Sequence, residues 1–204
     1  MEVGERVKEI KRSFRLIMDG AVAQSMRNKG LDYSLNWGAT IPRLREKADE
    51  IGQDYDLAIA LWKENVRECK ILATMIMPPD KILPEVVDIW MEQVPNQEIV
   101  EQAAFNLFQN LPYAPEKAYQ WIASANELYQ LCGFHVLARI FMAGREPNER
   151  GINEFVDQAV AALHDGSISV RKAALGAIQR FAELGLVYER IAKSALKRAN
   201  LEFL

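Results

Sequence analysis

In four stretches of the chain a large apolar or aromatic residue leads, a small one follows three positions later, and a bulky apolar one comes two after that. Val66-Arg67-Glu68-Cys69-Lys70-Ile71 aligns in this way with Val100-Glu101-Gln102-Ala103-Ala104-Phe105, with Tyr129-Gln130-Leu131-Cys132-Gly133-Phe134 and with Val170-Arg171-Lys172-Ala173-Ala174-Leu175. The small positions, Cys69, Ala103, Cys132 and Ala173, are 34, 29 and 41 residues apart, a spacing that suits one helix pair per unit and hence an α-solenoid. Small residues let neighbouring helices approach, and the larger flanking ones fill the layer between them. The alternative is chance similarity among amphipathic helices.

Around these stretches the pattern predicts about twelve helices. The first six run over Glu2–Met18, Ala21–Lys29, Pro42–Ile51, Tyr55–Asn65, Val66–Met77 and Asp80–Gln93. The others run over Asn96–Asn110, Pro115–Ala123, Ala125–Met142, Glu149–Leu163, Ile168–Leu184 and Val187–Leu201. Pro and Gly fall at intervals suited to helix ends, and strand-like alternation is missing. Ser124 with Glu127 three later has the form of a capping box, Pro115 suits a first turn, and Ser167 is a natural N-cap. The expected fold is all-α, a HEAT-like α-α superhelix of about six helix pairs, in one domain over residues 1–204.

Composition narrows the function classes. Half of the 204 residues are hydrophobic, enough for a sizeable core. The longest apolar run, Ile71 to Met77, is far short of the ~18 residues of a membrane span, so no membrane partner is expected. The charged start, Met1-Glu2-Val3-Gly4-Glu5, lacks the apolar stretch of a secretory signal, and a cytoplasmic location is expected. Cys69 and Cys132 share the small repeat position and read as core residues rather than a redox pair. His135 and His164 have no partners at zinc-binding spacing, so neither a metal nor a cofactor is expected.

The net charge of −3 hides an uneven distribution. Residues 1–47 carry ten basic and six acidic groups and residues 166–204 carry seven and three, leaving each end at +4 and the middle at −11. Basic ends around an acidic centre are unlike the footprint of a continuous nucleic-acid groove, and solvated helix faces explain most of these charges.

Several segments taken together resemble a known family. Met26-Arg27-Asn28-Lys29 leads into Leu35-Asn36-Trp37-Gly38-Ala39-Thr40-Ile41-Pro42-Arg43-Leu44-Arg45, followed by Ala58-Ile59-Ala60-Leu61-Trp62 and Glu68-Cys69-Lys70-Ile71-Leu72-Ala73. With Trp121-Ile122-Ala123 and Val170-Arg171-Lys172-Ala173 these are similar to the DNA alkylation repair family of HEAT-like helical-repeat glycosylases, in the same order over nearly the whole chain. The resemblance implies helix pairs whose concave face cradles duplex DNA. It also implies hydrolysis of the N-glycosidic bond of cationic alkylated purines, such as 3-methyladenine and 7-methylguanine, without extrusion of the base.

The chain departs from that family at its working positions. Active members carry a Trp and, four residues on, a catalytic Asp on the helix that here starts near Pro95; this chain has Gln97 and Glu101. A DNA-contacting Arg is replaced by Leu131, and an aromatic residue by Gly176. A cationic base already leaves well, so what helps is an anion beside the developing oxocarbenium sugar and aromatic faces against the lesion. Glu101 is the candidate anion, one methylene longer than Asp, and a displacement of about 1 Å can cost on the order of a hundredfold in rate. Trp90, Tyr113, Trp121 and Tyr129 are read as core in preference to a cage, and Glu101 as a solvated helix-face charge in preference to a catalyst.

Three readings stay open: an alkylpurine glycosylase using Glu101, a non-catalytic member that binds DNA or another nucleic acid through its basic ends, and a protein-interaction scaffold. For DNA the candidate contacts are Arg27, Lys29, Arg43, Arg45, Gln97, Arg171 and Lys172, with binding expected to be weak.

Overall fold

The computed structural model describes residues 2–201, and among these are twelve α-helices, two short 3-10 turns and no strand. The chain divides into two compact units that part after Leu107. In the first are α1 (Val3–Ser13), α2 (Gly20–Asn28), α3 (Ile41–Ile51), α4 (Tyr55–Trp62), α5 (Arg67–Ile76), α6 (Pro84–Glu92) and α7 (Gln97–Asn106). In the second are α8 (Ala114–Ile122), α9 (Glu127–Met142), α10 (Glu149–Asp165), α11 (Ile168–Ala182) and α12 (Leu186–Arg198).

Helix starts follow the short polar side chains that satisfy the first free amides. Asp19, Asp54, Asn96, Asn148 and Ser167 each accept from an amide of the helix they precede. The expected capping box at Ser124 does not form. Asn126 caps α9 instead, accepting from the Leu128 and Tyr129 amides, while the Ser124 hydroxyl accepts from the Asn126 amide one turn earlier.

Several helices are shorter than their apolar patterns suggest, and two of the ends are set by proline. Pro84 forces Leu83 into an extended conformation, so α6 starts there and not at Asp80. Pro78 does the same to Met77 and ends α5. The first helix stops at Ser13, and a 3-10 turn over Phe14–Leu16 drives the Phe14 ring, 0% exposed, into the core.

All four small repeat positions are buried, Cys69, Ala103 and Cys132 at 0% and Ala173 at 6% exposure. Burial pushes the Cys69 thiol up to about 12 and the Cys132 thiol well above its ordinary value, so both stay protonated core groups. In the first unit α5 is the central helix, packed by α3, α4 and α7. In the second, α9 and α11 pack along each other, and Phe141, Phe155 and Phe181 meet in an edge-to-face cluster that joins α9, α10 and α11.

A close approach of two helices is made at Gly133, next to the position that the repeat marks as small. A Cβ there would lie 2.8 Å from both the Ala118 carbonyl and the Ile122 amide of α8. Gly133→Ala would gain about 1 kcal/mol in helix propensity. The clash is with backbone that cannot swing aside, at a typical cost of about 1–3 kcal/mol. The net effect expected is a loss of stability, read as a lower urea midpoint; an unchanged or higher midpoint would show that α8 yields freely.

Candidate nucleic-acid interface

The first unit is organised by charges that sit inside it. Arg67 and Glu68 open α5, and they are 1% and 0% exposed. The Arg67 guanidinium donates to the Glu98 carboxylate through Nε and Nη2, the shortest contact being 2.6 Å, and through Nη1 to the Ala39 carbonyl at 2.8 Å and to Glu68 at 3.1 Å. Glu68 in turn accepts the amides of Trp37 and Ala39, each at 3.2 Å. Tyr33 donates to Glu98 and also lies 3.2 Å from the Asn96 side-chain oxygen. Burial opposes the charge on Arg67, yet Glu98 and Glu68 outweigh it and hold its pKa above the ordinary value. Burial, reinforced by the bond to Glu98, raises the Tyr33 hydroxyl's pKa and keeps it a proton donor.

This arrangement fixes two pieces of backbone. The segment between α2 and α3 is bound to the head of α5, helped by the Arg67 amide donating to the Leu35 carbonyl at 3.0 Å. Gly38 in that segment has φ 72°, and a Cβ there would fall 2.0 Å from the Asp19 carbonyl, so the crossing needs glycine. The start of α7 is fixed as well, because Glu98 points inward while Asn96 caps it.

With Glu98 turned inward, another side of α7 carries Gln97 and Glu101. The Gln97 amide donates to the Glu101 carboxylate at 2.8 Å, with Gln97 exposed and Glu101 half-buried. Further along, Asn106 donates to Thr74 at 3.0 Å and to Gln102 at 3.1 Å, and accepts from Arg45 of α3 at 2.9 Å. Thus of the cations named from the sequence, Arg45 is joined to the helix that bears Gln97 and Glu101. Arg43 pairs with Glu46 on its own helix at 2.9 Å, and Arg27 with Gln24 at 3.0 Å. Arg27 and Lys29 lie exposed at the end of α2. Arg171 and Lys172 belong to the second unit, where they stand exposed just beyond the capped first turn of α11.

The second unit also accounts for the altered positions. Leu131 is 2% exposed and part of the core. A Cβ added at Gly176 would meet nothing within 4 Å. Trp90 stacks on Trp62, and Trp121 packs on Phe108; at 2% and 3% exposure both tryptophans are core residues. His135 is half-buried on α9.

Sequence reasoning missed the Arg67–Glu68–Glu98–Tyr33 group. The available signal was two adjacent charges, Arg67 and Glu68, just ahead of the longest apolar run, Ile71 to Met77, where a solvated face would be wasted.

A sequence model of DNA alkylation repair enzymes matches residues 10–182 of the chain. No curated relative matches it. A solved structure described as "A new family of proteins related to the HEAT-like repeat DNA glycosylases with affinity for branched DNA structures" superposes with a TM-score of 0.83. The two are 15% identical, and the match covers 94% of this chain and 82% of that one. This likeness establishes the HEAT-like helical-repeat fold that the sequence predicts.

Arg67→Met leaves Glu68 and Glu98 without their countercharge inside the unit and is expected to cost about 3–5 kcal/mol in chemical denaturation. Arg67→Lys should recover only part of this, since an ammonium cannot span Glu98, Glu68 and the Ala39 carbonyl at once. A loss below about 1 kcal/mol for Arg67→Met would mean that the network is incidental to stability.

Proposed function

The chain belongs to the DNA alkylation repair enzyme family, and from that premise we propose that it serves as a DNA-binding member whose glycosylase chemistry is absent or far below that of active relatives. The observation that carries this is the Gln97–Glu101 pair. Where the resemblance places an aromatic face and a shorter carboxylate, this chain has an amide that takes up a lone pair of a longer one. An anion stabilises a developing oxocarbenium best when it is fixed against the sugar and unshared. At position 97 there is no ring to lie against a cationic base, and at 176 there is none either.

Binding is supported by exposed cations rather than by a catalytic constellation. Arg27, Lys29, Arg43 and Arg45 in the first unit, and Arg171 and Lys172 in the second, are the phosphate contacts of this reading, with Gln97 as a neutral contact beside them. Arg45 is the best prepared, because Asn106 already holds its guanidinium and less side-chain freedom is lost on binding. The affinity for branched DNA described for the structural neighbour makes junctions, alongside plain duplex, the appropriate probes.

Incubation with methylated duplex DNA is expected to release no 3-methyladenine or 7-methylguanine above the uncatalysed background. Multiple-turnover release that disappears in Glu101→Gln would instead make Glu101 the catalyst.

Titration of labelled duplex and four-way junction at ~50 mM and ~200 mM salt is expected to give weak, sequence-independent binding that fades as salt rises. The slope, roughly −0.9 per neutralised phosphate on duplex, counts the contacts. Arg171→Glu with Lys172→Glu should abolish the low-salt binding. No binding to either probe at ~50 mM salt would exclude the DNA reading.

A further inference from the structure

In the first unit, α4 and α6 lie side by side and leave a groove of about 330 Å³ between them. Its floor is the Trp62–Trp90 pair, stacked with ring centroids 4.2 Å apart and planes 3° from parallel. The floor is rigid: the Trp62 indole donates to Gln93 at 3.0 Å, and the Lys70 ammonium lies 4.6 Å from the Trp62 ring centre. The walls are aliphatic and aromatic, with Ile59 and Tyr55 from α4 and Val86 and Ile89 from α6. Ile89 is 49% exposed, although it is a large aliphatic residue in the middle of a helix.

Charge around the groove has one predominant sign. Asp56 lines it, and Glu85 and Glu92 stand exposed on the stripe of α6 next to the one that Val86, Ile89 and Gln93 present to it. Lys63 is the one cation among the lining residues. Such a rim repels phosphate, so nucleic acid does not suit this surface.

We propose that the α4–α6 groove is a docking site for a short, basic, amphipathic helix of a partner protein. Helices of eight and nine residues give a groove roughly 12 Å long at 1.5 Å per residue, enough for two turns of a bound helix. The occupant therefore carries two aliphatic anchors one turn apart, packed over Ile89 and the half-buried Tyr55, Ile59 and Val86. Lys or Arg on its flanks face Asp56 and the Glu85–Glu92 stripe. None of the residues assigned to DNA takes part, so this site and the DNA reading stand or fall separately.

The test is selection of a displayed library of three-turn helical peptides on the full chain, with counter-selection on Ile89→Asp. Ile89 is half-exposed, and circular dichroism checks that the variant is folded. Enriched peptides are expected to be cationic with aliphatic residues at i and i+4. Their affinity should drop at least about tenfold, or 1.4 kcal/mol, on Ile89→Asp and similarly on Glu85→Lys with Asp56→Lys. It should be unchanged by Arg171→Glu and by competing duplex DNA. No enrichment over the counter-selected pool, enrichment of acidic peptides, or binding indifferent to Ile89→Asp would overturn the proposal. So would self-association of the chain, seen by sedimentation, that Ile89→Asp abolishes, since the groove would then be occupied by a second copy.

Discussion

Arg67 and Glu68 would be costly to bury one at a time, since an ion taken from water without compensation costs several kcal/mol even after relaxation. Together with Glu98, and with the amides of Trp37 and Ala39, they form a set in which each charge meets an opposite charge or an aligned dipole. The set is selective because it is expensive. Only one placement of the 31–40 segment supplies the Ala39 carbonyl and the two amides, and only one register of α7 brings Glu98 to the guanidinium. The apolar core beneath, which includes Leu44, Leu57, Ile71 and Leu72, supplies most of the driving force, but hydrophobic contact is non-directional and would tolerate slippage. The ionic set fixes the register.

That register decides which side chains α7 shows to solvent. Glu98 faces inward, while Gln97 and Glu101 lie elsewhere around the helix and pair with each other. Arg45 reaches the far end of α7 only because α3 follows directly from the clamped segment. The character of the interface thus comes from two levels: the buried charges position the helices, and the residue types at 97, 101 and 176 limit what the positioned helices can do.

Much of the fold was legible because its punctuation is local. Asp19, Asp54, Asn96 and Ser167 stand at or just before the expected helix starts, and such caps act within a turn, whereas Pro84 starts α6 four residues later than the apolar pattern suggests. Ser124 misled for the same reason: two residues able to cap stand two apart, and the packed geometry chose Asn126. Gly133 was missed because the repeat marks Cys132 beside it as the small position, while the tight approach to α8 is made one residue later. Arg67 and Glu98 are 31 residues apart, about one helix pair, so no local window can join them. At the candidate interface the residue types at 97 and 101 were legible, and their hydrogen bond follows from i, i+4 spacing. The Arg45–Asn106 link was not, since its partners are 61 residues apart.

Charge counted along the chain also gives a misleading picture of the surface, for a physical reason. The acidic middle includes Asp54 and Glu64, yet these pair with Arg6 and Lys11 from the basic beginning, each at 2.5 Å. The Arg6 pair forms although burial raises the Asp54 carboxyl's pKa, because the Leu57 amide and Arg6 together hold it below the usual value. Glu68 and Glu98 are likewise spent internally on Arg67. What a ligand meets is therefore neither a basic end nor an acidic centre. In the first unit it meets Arg27, Lys29, Arg43 and Arg45 on and around α2 and α3, and the acidic stripe of α6. A phosphate backbone and a cationic helix would each be drawn to one of these and kept from the other. Two surfaces of opposite sign thus share one compact unit, an arrangement suited to a nucleic acid on one and a protein on the other.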